Sequence, residues 1–224
     1  MHATRLATFL LAAAALASCT DRLAPSDDRY GRTGQLIAMS GGEGGARYAC
    51  VTCHGARGEG NGFDAPRLAG LPAGYLQKQM EDYAANLRPH VVMRDVAGFL
   101  DSDERVMVAN HYAALPPAAL PPATLQSAPA AAALLYRAGD PARGLASCAS
   151  CHGEGGVGAA GGPPLNGQPA FYLARQLRDW QAAKRRNDGG NVMLREAQKL
   201  TPAEIEAVSL YLARRPPALP LPAR

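Results

Sequence analysis

The sequence predicts an all-α protein built as two tandem copies of one small domain. Three observations carry that expectation. A five-residue pattern occurs twice, as Cys50-Val51-Thr52-Cys53-His54 and Cys148-Ala149-Ser150-Cys151-His152. The residues after each copy repeat too. Pro66-Arg67-Leu68-Ala69-Gly70-Leu71-Pro72 answers to Pro163-Pro164-Leu165-Asn166-Gly167-Gln168-Pro169, and Tyr75-Leu76, Gln79-Met80 and Asp82-Tyr83 answer to Tyr172-Leu173, Gln176-Leu177 and Asp179-Trp180. Within these stretches the apolar residues recur at intervals of three and four, the period of a helix face and not of a strand.

Taken in order, residues 1–18 read as an export leader. Arg5 gives a short basic start, and an apolar run follows from Leu6 to Leu16, too short for a membrane span. Residues 19–35, rich in Asp, Arg, Ser and Gly, read as a tether. The first domain is placed at 36–115. A short helix leads into the first Cys pattern, a helix over about 73–85 presents Tyr75, Leu76, Gln79, Met80 and Tyr83 on one face, and Asp101 with Glu104 starts the last helix. Residues 116–130 open with Pro116-Pro117 and Pro121-Pro122, which cannot continue a helix, and read as a linker. The second domain is placed at 131–215. Asp140-Pro141 is its expected lead-in helix start, a helix spans about 170–182, and Thr201-Pro202 with Glu204 is a capping box with proline at the first helical position. A Pro-rich tail, 216–224, ends the chain.

The repeated pattern is C-x-x-C-H, the attachment motif for c-type haem. Two thiols three positions apart suit the two vinyl groups of one porphyrin, and the adjacent histidine becomes the proximal iron ligand. Cys50, Cys53 and His54 would hold one haem; Cys148, Cys151 and His152 the other. A redox dithiol or a zinc half-site would explain C-x-x-C alone, but not the histidine after each pair. The opposite face of each iron decides between electron transfer and catalysis. Met93 follows His54 by 39 residues and Met193 follows His152 by 41, at equivalent repeat positions, each with Ala four residues on and Leu seven residues on. Both are the expected axial thioethers. Their rivals at the first iron are Met80, Met107, His90 and His111, of which Met80 and Met107 match Leu177 and Ala207 and read as packing.

Four of the five cysteines lie in the two motifs, leaving Cys19. The run Leu16-Ala17-Ser18-Cys19 resembles a bacterial lipobox, so Cys19 is the expected lipidation site and the membrane anchor. The formal net charge of +4 is unevenly spread. Residues 19–115 hold 10 Lys and Arg against 12 Asp and Glu, and residues 116–224 hold 12 against 7. Such an asymmetry can orient a molecule toward a partner. The positive charge is scattered, which does not suit nucleic acid.

Residues 36–215 resemble the class I cytochromes c, in particular the two-haem cytochrome c4 family. The resemblance rests on C-x-x-C-H-G, P-x-L-x-G, the aromatic-Leu helix and M-x-x-x-A-x-x-L, each present twice. It implies two tandem domains, each wrapped around one covalently bound haem c. It also implies that Pro66 and Pro163 support His54 and His152 through their carbonyls, that Arg88 and Arg185 contact haem propionates, and that the haems approach across the domain interface. His111 stands where the family pattern has Tyr. The implied function is electron transfer on the periplasmic side of the bacterial envelope, from a quinol-oxidising complex or periplasmic dehydrogenase to a terminal oxidase. Rival readings are the cytochrome subunit of a sulfide or alcohol dehydrogenase, and a di-haem enzyme such as a peroxidase or thiosulfate dehydrogenase.

Each unit is a glycine-rich segment of fewer than about a hundred residues, a size at which a polypeptide core is marginal alone. Haem should therefore supply much of the apolar core. Circular dichroism of haem-free protein is expected to show reduced helicity and a broad, weakly cooperative melt. A sharp transition from a fully helical state would contradict this.

Overall fold

The computed structural model describes residues 32–118, 130–159 and 161–217. Among them are helices, turns and two isolated bridges, Asp140 with Leu145 and Ala159 with Gly162, and no strand. Both repeats lie in the compact unit that begins at Thr33. The first half contributes α1 (Gly34–Ser40), α2 (Val51–His54), α3 (Ala73–Ala84), α4 (Val91–Gly98) and α5 (Ser102–Ala114). The second contributes α6 (Ala130–Ala138), α7 (Ala149–His152), α8 (Ala170–Gln181), α9 (Val192–Ala197) and α10 (Pro202–Ala213) in the same order.

Local chemistry sets most of these boundaries. The Thr33 hydroxyl accepts the Leu36 N–H at 3.1 Å to start α1. This helix thus starts inside the span expected for the tether. Pro72 and Pro169 precede α3 and α8, with φ of −56° at both. Both helices leave through the same turn, in which Asn86 and Ala183 take φ of 57° and 56° and the next arginine N–H returns to the carbonyl of Asp82 or Asp179 at 3.0 Å. This turn puts Arg88 and Arg185 at equivalent places. The capping boxes form at Asp101/Glu104 and Thr201/Glu204.

Asp140-Pro141 does not start the helix that leads into the second motif. That helix is α6, which ends at Ala138; Asp140 caps a three-residue 3-10 turn, Pro141–Arg143, by accepting the Ala142 and Arg143 N–H groups. The capping chemistry was legible, but the length of what it capped depended on Leu145 turning back to pair with Asp140.

In each half the last helix packs against the first and third: α5 on α1 and α3, α10 on α6 and α8. The first core gathers Ile37, Leu76, Leu100, Val108 and Tyr112; the second gathers Tyr136, Leu173, Val208, Tyr211 and Leu212, with Leu145, Leu200 and Ile205 beside it. Burying each such side chain contributes roughly 1.5–3 kcal/mol. The glycine of P-x-L-x-G ties the last helix to the motif loop. Gly70 and Gly167 sit at φ 71° and 69°, conformations that suit glycine, and donate to the carbonyls of Tyr112 and Leu212 at 3.0 Å. A Cβ there would stand 3.1 Å from Pro117 or 3.0 Å from Pro217. The first residues of the expected linker and tail therefore fold back on their domains. Cys19 and the remainder of the leader, linker and tail lie outside the described residues.

The Arg143 guanidinium, with the Thr201 N–H, holds the Glu204 carboxyl down from 4.5 to about 2. A carboxyl depressed on folding stabilises the native state above its unfolded value and loses that contribution as pH falls through its folded value. Glu204 should therefore contribute fully above about pH 4.5 and progressively less toward pH 2. Glu204→Gln is expected to flatten the acid limb of the stability-pH curve in that window, read by denaturant melts.

Candidate haem sites

Each Cys-x-x-Cys-His segment forms a four-residue helix whose first cysteine is the N-cap and whose histidine is the last helical residue. The glycine after each histidine, Gly55 or Gly153, takes φ of 79° or 77° and turns the chain sharply away. His54 and His152 are buried. Each ring's Nδ1–H donates to a proline carbonyl, His54 to Pro66 and His152 to Pro163, both at 2.9 Å. Burial depresses both imidazole pKa values, against the opposing proline bond. The proline bonds commit Nδ1 as donor and leave Nε2 as the ligating atom of each ring.

Cys50 and Cys148 are half-buried; Cys53 and Cys151 are exposed. Burial pushes the Cys50 and Cys148 thiols up to about 11. A redox dithiol works through a depressed thiol, the opposite of this direction. Among the described residues no three His, Cys, Asp or Glu side chains gather as a metal cage, so a structural zinc site lacks its donors. A tyrosine lies beside each first cysteine, but from different places. Tyr112 of α5 lies in the core against which Cys50 packs, whereas Tyr136 of α6 lies in the core against which Cys148 packs and donates to the Gly153 carbonyl at 2.8 Å. The repeat alignment did not reveal this exchange, because the two tyrosines occupy non-equivalent positions. His111 packs beside Tyr112 at 5.0 Å between ring centroids, and its Cβ is among the atoms that would meet a Cβ added at Gly34.

Met93 and Met193 stand in the first turns of α4 and α9, both half-buried. The Met93 N–H donates to His90 Nδ1 at 3.2 Å, so His90 is a helix cap. The Met193 N–H instead donates to Asp188 Oδ2 at 2.8 Å, and the other oxygen of Asp188 accepts the Trp180 indole at 3.0 Å. The three-residue 3-10 turn Gly189–Asn191 lies between. This turn accounts for the change in repeat offset from 97 at the arginines to 100 at the methionines. Met80 and Met107 pack against the first apolar core.

Arg88 and Arg185 meet at the seam between the halves. Arg88 donates to Gln79 at 2.8 Å, Gln176 at 2.6 Å and the Tyr172 hydroxyl at 3.0 Å. Arg185 donates to Gln176 at 2.7 Å, Gln79 at 3.1 Å and Asn187 at 2.9 Å. Arg88 lies over the Tyr83 ring and Arg185 over Trp180. Both guanidiniums are buried, and their hydrogen-bond partners are amides and a phenol. Burial, and then the neighbouring charge of Arg88, depress the Arg185 pKa. Two buried like charges without carboxylates call for anions.

The cytochrome c family model matches residues 42–104 and 139–215. The chain belongs to the cytochrome c family. It has two tandem cytochrome c domains and two covalently bound haem c groups, as a di-haem electron carrier of the cytochrome c4 type. The thiosulfate dehydrogenase electron acceptor of Stutzerimonas stutzeri is 38% identical over 80% of this chain and 85% of its own length. Among solved structures, reduced cytochrome c4 from Pseudomonas stutzeri superposes with a TM-score of 0.69 at 30% identity, covering 81% of this chain and 96% of that one. A thiosulfate dehydrogenase (TsdBA) from Marichromatium purpuratum superposes with a TM-score of 0.70 at 39% identity, and the match covers 82% of this chain but 40% of that longer one.

The residues fit the cofactor. Two oriented imidazoles each leave Nε2 for ligation, two cysteines precede each in the same short helix, and the buried guanidiniums of Arg88 and Arg185 supply the positive charge that haem carboxylates need. Gly162 packs so closely on the His152 ring that an added Cβ would stand 2.7 Å from it.

Proposed function

We propose that this cytochrome is a lipid-anchored periplasmic electron carrier that takes electrons from a dehydrogenase, with a thiosulfate-oxidising enzyme as the favoured donor, and passes them to a terminal oxidase. The observation that carries the donor assignment is the likeness, over most of this chain, to a protein named as a thiosulfate dehydrogenase electron acceptor. The solved thiosulfate dehydrogenase chain supports it from a second side, because part of that chain has this fold. Anchoring rests on Cys19 and the lipobox before it; among the described residues no helix is long and apolar enough to cross a membrane.

In this reading Cys50, Cys53, Cys148 and Cys151 form the thioethers, and His54/Met93 and His152/Met193 close the two irons. Bound haem supplies the ferric-ferrous couple. The chain does the rest. Pro66 and Pro163 fix the imidazoles, Met93 and Met193 exclude other ligands and raise the potential, and Arg88 and Arg185 receive the propionates. The duplicated helix-start position of the methionines supports ligation, as does the use of His90 as a cap.

Near-infrared spectra of the ferric protein should show the thioether-to-iron charge-transfer band from two low-spin haems. Met93→Ala should remove roughly half of it, since one of two sites is opened, and admit CO to one reduced haem. An unchanged band would remove Met93 as ligand.

Stopped-flow mixing of the oxidised protein should give full haem reduction with thiosulfate dehydrogenase plus thiosulfate, and none with thiosulfate alone. Rapid reduction by thiosulfate alone would make the chain itself the dehydrogenase. Reduction by a quinol-oxidising complex and not by the dehydrogenase would move the donor.

A further inference from the structure

The seam between the halves has a symmetric centre and asymmetric flanks. At the centre, Arg88 and Arg185 each donate to both Gln79 and Gln176. Around it the repeat is broken in complementary pairs. Arg67 stands where the second half has Pro164, Asn166 where the first has Ala69, and Gln168 where the first has Leu71. These three departures meet one another. The Arg67 N–H donates to Gln168 Oε1 at 3.0 Å, and Gln168 Nε2 donates back to the Arg67 carbonyl at 2.9 Å. The Arg67 guanidinium donates to the Asn166 carbonyl at 3.0 Å and to the Ala69 carbonyl. Arg67, Asn166 and Gln168 are 3%, 1% and 4% exposed. A second broken pair lies alongside. Phe63 sits in a loop one residue longer than its counterpart and stacks at 4.0 Å on Phe171, which replaces Gly74 of the first half.

The clasp joins two particular loops. Arg67 directly follows Pro66, whose carbonyl holds His54. Asn166 and Gln168 follow Pro163, whose carbonyl holds His152. The loop that orients one proximal histidine is therefore hydrogen-bonded to the loop that orients the other. The arrangement also excludes swivelling. The buried Arg67 guanidinium has one acceptor in its own half, the Ala69 carbonyl, and one across the seam, the Asn166 carbonyl, which it would lose if the halves moved apart. Gln168 pairs with both backbone groups of one buried residue of the other half and would lose both partners together.

We infer that Gln168 and Arg67 are positioning residues for the electron step between the two haems, holding the halves in one docking so that transfer occurs at fixed separation. The inference rests on the two-haem carrier reading, which dithionite titration of both haems in the parent protein checks separately.

The test uses the full holoprotein. One electron is injected by pulse radiolysis and the inter-haem equilibration rate is followed, with small-angle scattering in parallel. Gln168→Leu installs the first half's own residue and touches neither proximal histidine; Arg67→Met keeps the apolar stem and removes the charge. Both should slow equilibration roughly tenfold or more, the scale on which small misplacements act on oriented reactions, and increase the radius of gyration. The absorption spectrum of each haem should be unchanged. An unaltered rate in Gln168→Leu overturns the inference. So does a slowed rate accompanied by changed haem spectra, which would assign Gln168 to the local fold.

Discussion

The hydrogen bond from each histidine's Nδ1 to a proline carbonyl is the constraint on which each half depends. A four-residue helix forms at a loss in isolation, because nucleation fixes several dihedrals for one bond. Yet α2 and α7 carry both thiols and the proximal imidazole of their half. The proline bond anchors the imidazole end, and the glycine after it turns the chain back to meet that proline loop. The loop is held in turn by Gly70 or Gly167 against the last helix, and that helix by the apolar core. Orientation of the ligand thus passes outward, contact by contact, to the packed helices.

The seam works on a different balance. Burying Arg67, Arg88 and Arg185 costs desolvation energy, and their hydrogen-bond partners are neutral. Neutral acceptors offset that cost in part; the carboxylates of bound haem complete it for Arg88 and Arg185 in the proposed reading. Burial of Arg67 lowers its pKa to about 10, and one of its guanidinium bonds crosses to the second half's histidine loop.

Much of this was legible in sequence for a local reason. Caps, prolines and helix periods act over three or four residues, so Thr201/Glu204, Asp101/Glu104 and the α3 and α8 starts could be read directly. Even there, Asp140-Pro141 capped a 3-10 turn and not the helix before the motif, because pairing of Asp140 with Leu145 set the turn's length. Repeat comparison extended the reach to Met93 and Met193, but it works only where the halves agree. Where they differ, as at Tyr112 and Tyr136 or at His90 and Asp188, each half reaches a related end with a different residue.

Duplication, helical character and the two thiol-imidazole haem motifs are readable along the chain, because covalent spacing and helix period are properties of sequence neighbours. Which residues the two halves offer each other is set by how the halves pack. Arg67 with Gln168, Phe63 with Phe171 and the shared Arg88-Gln79-Arg185-Gln176 centre join positions about a hundred residues apart. In the repeat alignment Arg67, Gln168, Phe63 and Phe171 read as mismatches, and across the seam they are partners. The matching arginines and glutamines meet at the centre, because residues about a hundred apart in the chain become neighbours only when the halves pack.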